Sequence, residues 1–471
     1  MIGTSGTADG QDRFHERFGF RAVPGTRRYV ERYTEDVLIM LYQAATPAGE
    51  YSGLVEQLED AFPAATIPVR DAVLDEPGRA AAKASEAPAV SAPAYSTAAT
   101  ATVTATATGA EACWQPVLYD LARADDRRAR EALLASGAVR EVMDTIDEQL
   151  VELVTSREPA LRSSLQAVAR AVAGQLGGTA PHDYGTWVWY PWSGRLIHLL
   201  PREEFRLVRT DRNRGRIERP EQRRLLGCRV GIIGLSVGSS AALTFAMEGI
   251  GGAFKLADFD TLSVSNLNRL RAGVHHLGLN KCVIAARQML EIDPWLDIEI
   301  HPGGLTNETM EEFFTGGAGP IDLLVEECDT PYVKLAAREH ARALGIAVVM
   351  DANDRGLLDV ERFDLEPDRP LLHGRLGATT SADLIGLTFE ESVEVILTMV
   401  DRTRISPELA AAVPQIGTTL SSWPQLASGV ALGGALTAEA VRRILLGLPR
   451  PSGRFYTDLE ALTSADRSTL A

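Results

Sequence analysis

From Arg229 onward the chain alternates short apolar runs with stretches of helical spacing, and that alternation restricts the fold more than any other feature. Strands are predicted at 229–233, 254–258, 296–300, 322–326 and 347–350. Helices are predicted between them, at 239–248, 281–291, 306–314 and 331–344. Near-continuous Val/Ile/Leu runs separated by helices are what a parallel sheet buried on both faces requires. The fold class that follows is α/β, a Rossmann-like, doubly wound, mostly parallel sheet. Gly356–Leu365 reads as a further, antiparallel strand, and 376–424 as largely helical with proline breaks. A long helix over about 425–446 and a short strand at 454–458 follow.

The first 204 residues read differently, as an extra, mainly helical N-terminal region. Residues 14–75 are predicted to form a small α/β unit, with helical spacing over Asp36–Ala45 and Tyr51–Phe62. Residues 76–112 repeat Ala, Thr and Pro without a core pattern and read as a flexible linker. Residues 113–204 are predicted to be helical with one hairpin. Glu141–Val154 carries the clearest helical face, with Val142, Met143, Ile146, Leu150, Leu153 and Val154. Thr186–Tyr190 and Arg195–Leu200 flank a turn at Pro191-Trp192-Ser193-Gly194. The tryptophans there are read as packing that docks this unit onto the next domain.

With 471 residues the chain is long enough for two or three domains. Its formal charge of −16 argues against nucleic acid as a general partner. Cysteine occurs at Cys113, Cys228, Cys282 and Cys328, without a C-x-x-C pair, so neither a zinc ribbon nor a disulfide framework is expected. That usage fits a reducing, cytoplasmic setting. No signal peptide is expected from the polar start, and the small-sided run near Leu426–Val441 reads as a buried helix, with no membrane partner.

The first predicted strand ends in Gly234-Leu235-Ser236-Val237-Gly238 and opens a helix. A turn of this kind aims backbone N–H groups at phosphate oxygens, and glycine permits close approach. Asp258 ends the next strand and is a candidate for ribose hydroxyls, with a turn or capping carboxylate as the alternative, as for Asp260. Arg269 and Lys281 follow, and a dehydrogenase has no need of them. Cleaving ATP between its α- and β-phosphates builds oxygen charge that fixed cations stabilise. Asp329 lies past a later strand's carboxyl end and is a candidate Mg²⁺ ligand, or a cap for the helix after it.

Taken together these residues resemble the ThiF/MoeB family, bacterial relatives of ubiquitin-activating E1 enzymes. Asp258-Phe259-Asp260-Thr261-Leu262-Ser263-Val264-Ser265-Asn266-Leu267-Asn268-Arg269 is close to the family pattern D-x-D-x-V-x-x-S-N-L-x-R. Gly278-Leu279-Asn280-Lys281 and Ile292-Asp293-Pro294 match further family segments, and the resemblance runs over about 205–463. It implies an E1-like ThiF fold and Mg·ATP as the bound nucleotide. It also implies adenylation of a C-terminal carboxylate on a small carrier protein or peptide, commonly ending in glycine, with pyrophosphate released. By resemblance Gly234 and Gly238 cradle phosphate, Asp258 holds ribose with Asp260 beside it, and Asn266, Arg269 and Lys281 contact phosphates. Asp329 serves the metal. A homodimer is implied, with Arg212 or Arg214 entering the partner's site.

Three departures stand out. The glycine loop is one residue shorter than G-x-G-x-x-G. Pro370–Arg375 occupies the place of the family's zinc-binding cysteine pairs, so no zinc is expected. No cysteine follows Cys328, which argues against a later thioester step. Two other readings stay open: an NAD- or FAD-binding protein, and a non-catalytic E1-like scaffold.

Overall fold

The computed structural model describes residues 113–463, together with two short antiparallel strands, β1 (Phe20–Ala22) and β2 (Tyr29–Glu31). The chain divides into two units, Met1–Thr100 and Ala101–Ala471. The helices expected at Asp36–Ala45 and Tyr51–Phe62 and the linker at 76–112 lie outside the described residues.

The second unit opens on a four-stranded sheet with strands β3 (Val117–Asp120), β4 (Glu141–Asp144), β5 (Thr186–Tyr190) and β6 (Arg195–Leu199), in the order β3-β5-β6-β4. The β5–β6 hairpin is the one expected from sequence. Its flanking strands were not expected. Glu141–Val154 is not one helix: its first four residues form β4, paired in parallel with β6. Val142 and Met143 are about half exposed on this edge strand, at 51% and 45%. The helical face belongs only to the residues from Ile146 on, so two apolar residues on a short strand happened to extend its spacing. Helices α1 (Ala124–Ala135), α2 (Ile146–Arg157) and α3 (Leu165–Leu176) complete this part.

α4 (Arg202–Arg209) and α5 (Arg219–Leu226) lead into a seven-stranded sheet. It is built from β7 (Arg229–Ile233), α6 (Gly238–Glu248), β8 (Ala253–Ala257), α7 (Lys281–Ile292), β9 (Asp297–His301), α8 (Asn307–Thr315), β10 (Leu323–Glu326), α9 (Pro331–Leu344) and β11 (Ala347–Asp351). β12 (Leu357–Glu361) extends the sheet antiparallel to β11. α10 (Phe389–Val400), α11 (Pro407–Ala412) and α12 (Ala427–Leu445) precede β13 (Gly453–Tyr456), which pairs antiparallel with β12, and α13 (Leu459–Thr463) follows. Each strand and helix expected from Arg229 onward is present, with ends shifted by no more than a few residues.

The order is β13-β12-β11-β10-β7-β8-β9, with the five strands from β11 to β9 parallel. Both faces are covered. One buries Val230, Ile232, Phe254 and Leu323 under α6, α7 and α12. The other buries Ile233, Leu324 and Val348 under α8 and α9, through Phe313, Phe314 and Ala337. Register sets the site: Ile233 lies level with Ala257 on one side and Glu326 on the other. The next residue of each strand, Gly234, Asp258 and Glu327, therefore emerges at one edge. Chain order reverses between β7 and β10, and that is where open α/β sheets leave a ligand crevice.

The small sheet docks on this domain through α7. The Tyr190 hydroxyl donates to the Leu290 carbonyl (3.0 Å), and Trp192 Nε1 donates to Glu291 (2.6 Å). Trp187 and Trp189 instead pack inside the small sheet's own core with Tyr119, Leu121 and Leu196. Buried Arg206 of α4 donates twice to buried Asp293, at 2.8 and 3.2 Å.

Candidate functional site

The turn after β7 is pressed against the loop after β10. Gly234 has φ +87°, and a Cβ there would lie 2.6 Å from the Cys328 backbone nitrogen. No other residue type satisfies both demands. Gly238 opens α6, and a Cβ on it would lie 3.1 Å from Ile232 Cγ2. The N-cap position is Val237, which supplies no side-chain cap. The first N–H groups of α6 thus point out of the crevice edge without a side-chain acceptor, the arrangement that suits a phosphate. The short loop still delivers the helix end to the switch point, and Ser236 Oγ is buried there without a partner.

Asp258 is buried, and its two oxygens are engaged. Oδ2 accepts from the Leu235 amide at 2.7 Å, and Oδ1 accepts from the Asp260 amide at 2.8 Å. The carboxylate therefore fixes the glycine turn to the end of β8, and its remaining lone pairs are free for further donors. Burial pushes its pKa up, against Lys281 and the two amides, which pull it down. Lys281, the first residue of α7, is 5% exposed, and its Nζ reaches Asp260 Oδ2 at 2.7 Å and Asp258 Oδ1 at 3.9 Å. Asn280 caps the same helix through the Cys282 amide and also donates to the Asp258 carbonyl, at 3.1 Å. Gly234, Asp258, Asp260 and Lys281 thus form one connected cluster.

Arg269 stands on the loop between β8 and α7. It donates to the Ser265 carbonyl and to Asn268, while its Nε is buried without a partner. Burial lowers its pKa, and Asp329 is the charge that acts against this. Asn266 accepts from Ser263, by amide and hydroxyl, and shapes the single helical turn at Val264–Asn266. Asp329 is exposed, and the N-cap of α9 is Thr330, so the capping alternative for Asp329 does not hold. Among the described residues no group of three or more His, Cys, Asp or Glu is placed to hold a metal ion. A divalent cation here would rest on Asp329 together with phosphate and water oxygens, which is how Mg²⁺ is usually held.

Arg214 is not brought to this cluster within the chain. It pairs with Asp211 at 3.3 Å, and its neighbour Asn213 donates to the Glu248 carbonyl at the far end of α6. Eleven residues of helix put that end about 16 Å from the glycine turn. Arg212 is exposed on the same loop. Arg209 is structural: it donates to the Ala246 and Met247 carbonyls at the C-terminal end of α6.

Sequence reading passed over a carboxyl pair beneath the turn. Glu327 Oε1 accepts from the Asp351 amide at 2.8 Å, while Glu327 Oε2 and Asp351 Oδ2 are buried with no partner. Burial raises both pKa values, Glu327 well above the usual range and Asp351 to about 7. Two acids side by side in a dry site do not both ionise. The only sequence signal was Glu327 at a strand's end. Its partner is 24 residues away and is supplied by the neighbouring strand.

A parallel sheet wound on both faces, with a glycine turn and a buried acid at the switch point, defines a doubly wound α/β domain. Residues 210–360 match the ThiF family, and that segment is a ThiF-family domain. Over 275 residues the chain is 45% identical to an uncharacterised protein of Mycobacterium tuberculosis (strain CDC 1551 / Oshkosh), covering 58% of this chain and 38% of that one. Over 125 residues it is 29% identical to ubiquitin-like modifier-activating enzyme 5 of Xenopus laevis, covering 25% of this chain and 31% of that one. The chain spans well under half the length of these relatives. Among solved structures, E. coli tRNA N6-threonylcarbamoyladenosine dehydratase superposes with a TM-score of 0.36 at 16% identity, over 51% of this chain and 94% of that one. E. coli MccB with MccA-N7isoASN superposes with a TM-score of 0.36 at 13% identity, over 64% and 81%. Superpositions this distant carry no residue roles.

Proposed function

We propose that this chain is an ATP- and Mg²⁺-dependent adenylyltransferase of the ubiquitin-like-modifier-activating type. Its acceptor is the C-terminal carboxylate of a small protein or peptide. A carboxylate oxygen bonds to the α-phosphorus, the bond to the bridging oxygen breaks, and pyrophosphate leaves with that electron pair. The observation that supports this best is the gathering of Lys281 with Asp258 and Asp260 at the end of β8, against the glycine turn that Asp258 ties down.

In this reading Asp258 accepts from ribose hydroxyls with the lone pairs its two amides leave over. The uncapped N-terminus of α6, Arg269, Lys281 and Asn266 hold the phosphates. Lys281 exchanges Asp260 for a phosphate oxygen as the nucleotide enters. Bound metal would supply charge neutralisation on the triphosphate, with Asp329 as its protein ligand. A partner copy of the chain would be needed to bring in Arg212 or Arg214.

The test is ATP–pyrophosphate exchange with candidate carrier proteins and peptides, comparing wild type with Lys281→Ala and Asp329→Ala. Exchange is expected with the true acceptor, and a loss of about 10²-fold or more in each variant. Tight NAD binding with no exchange for any acceptor would overturn the proposal.

A further inference from the structure

Where the segment from α10 to α12 folds back beside Asp329, a pocket of about 170 Å³ opens. Its walls are Phe389, Val393, Ile396, Ile416 and Trp423, with three serines among them. Phe389 is 52% exposed, although Gly417 packs against its ring. A cavity of this size is large enough for a benzene-sized group, with Asp329 and the three serines lining it beside the apolar side chains.

Position assigns the occupant. The glycine turn lies at β7, the ribose candidate Asp258 at β8 on one side, and Asp329 at β10 on the other. A nucleotide laid across the switch point runs from Asp258 toward Asp329, so the pocket lies beyond its phosphate end. The reacting carboxylate approaches from there. Its carbon is bonded directly to the Cα of the acceptor's last residue, so that residue's side chain stands within a few ångströms of the reacting oxygen. A pocket sharing Asp329 with the phosphate site is where this side chain falls.

We propose that the pocket selects an acceptor whose C-terminal residue carries an apolar side chain, of the size of Leu, Met or Phe. This rests on the adenylation reading, and it departs from the glycine terminus that the family resemblance implies. A glycine would leave the apolar walls in water, whereas burying a Leu or Phe side chain there favours binding by about tenfold or more.

The probes are the tripeptides Ala-Ala-Gly, Ala-Ala-Leu and Ala-Ala-Phe with free carboxyl termini, titrated into the full chain. Fluorescence of Trp423 reports occupancy, with Trp423→Phe as the blank, and needs no turnover. The Leu and Phe peptides are expected to bind about tenfold or more tighter than the Gly peptide. Ser392→Phe and Ile396→Phe, which fill the pocket from α10, are expected to erase the preference and leave ATP binding intact. Equal or tighter binding of the Gly peptide, a preference that survives both variants, or no saturable signal with any tripeptide overturns the proposal. Pyrophosphate exchange run in parallel separates the two readings. Apolar preference without exchange overturns adenylation alone, whereas exchange that favours the Gly peptide overturns the pocket assignment alone.

Discussion

At Asp258 one oxygen accepts from Leu235 in the glycine turn and the other from Asp260, so a single buried carboxylate joins two loops. Its role is structural before any ligand arrives. Replacing it with Ala leaves the buried Leu235 amide unpaired, at a cost of about 1–3 kcal/mol. Asp258→Ala is expected to show that loss in urea titration, together with weakened ATP binding in a nucleotide titration. A variant that bound ATP normally would remove Asp258 from the site. Asp258 was legible in the sequence because a glycine turn, a strand and an acid follow at fixed spacing. Glu327 and Asp351 were not, because nothing along the chain announces that adjacent strands will set two acids together.

At the scale of elements, α12 and α6 approach without room for side chains. A Cβ on Gly434 would lie 2.5 Å from Ser240 Oγ and 2.8 Å from the Ser240 carbonyl carbon. Gly434→Ala is expected to cost about 1–3 kcal/mol by overpacking, read as a lowered thermal midpoint. An unchanged midpoint would mean that the helices separate easily. The parallel strands and their helices were legible because burial on both faces makes strands continuously apolar. β4 was not, since four residues on an edge carry too little pattern to compete with the helix that follows them.

At the largest scale, the second unit is tied together by contacts between distant segments. Arg206 neutralises Asp293, which is 0% exposed, and joins α4 to the end of α7. Arg206→Ala leaves buried Asp293 with Arg209, at 3.3 Å, as its remaining cation, and is expected to cost about 1–3 kcal/mol. Denaturant melts followed by Trp fluorescence and by circular dichroism test this, and a loss under 1 kcal/mol would contradict it. The pair at Glu327 and Asp351 sets a pH dependence. Burial raises the Asp351 carboxyl from 3.8 to about 7, so the folded chain holds a proton that the unfolded chain releases. Its contribution to stability is present below about pH 4 and is lost as pH rises toward about 7. Asp351→Asn is expected to flatten the thermal midpoint over that window, with Glu327 keeping part of the slope. A profile identical to wild type would refute the assignment.

The sequence by itself determined the alternation of strands and helices, the glycine turn, and the acid and cations that follow it. All of these are patterns over neighbouring residues, fixed by backbone geometry and periodicity. Only the tertiary structure decided what those residues meet. Strand register brought Gly234, Asp258 and Glu327 to one edge, and the start of α7 set Lys281 against Asp258 and Asp260. Chain reversal put Asp329 beside a pocket of apolar side chains and serines made from residues 60 to 94 positions further on. Such contacts join segments that share no local pattern, because packing selects them and sequence spacing does not.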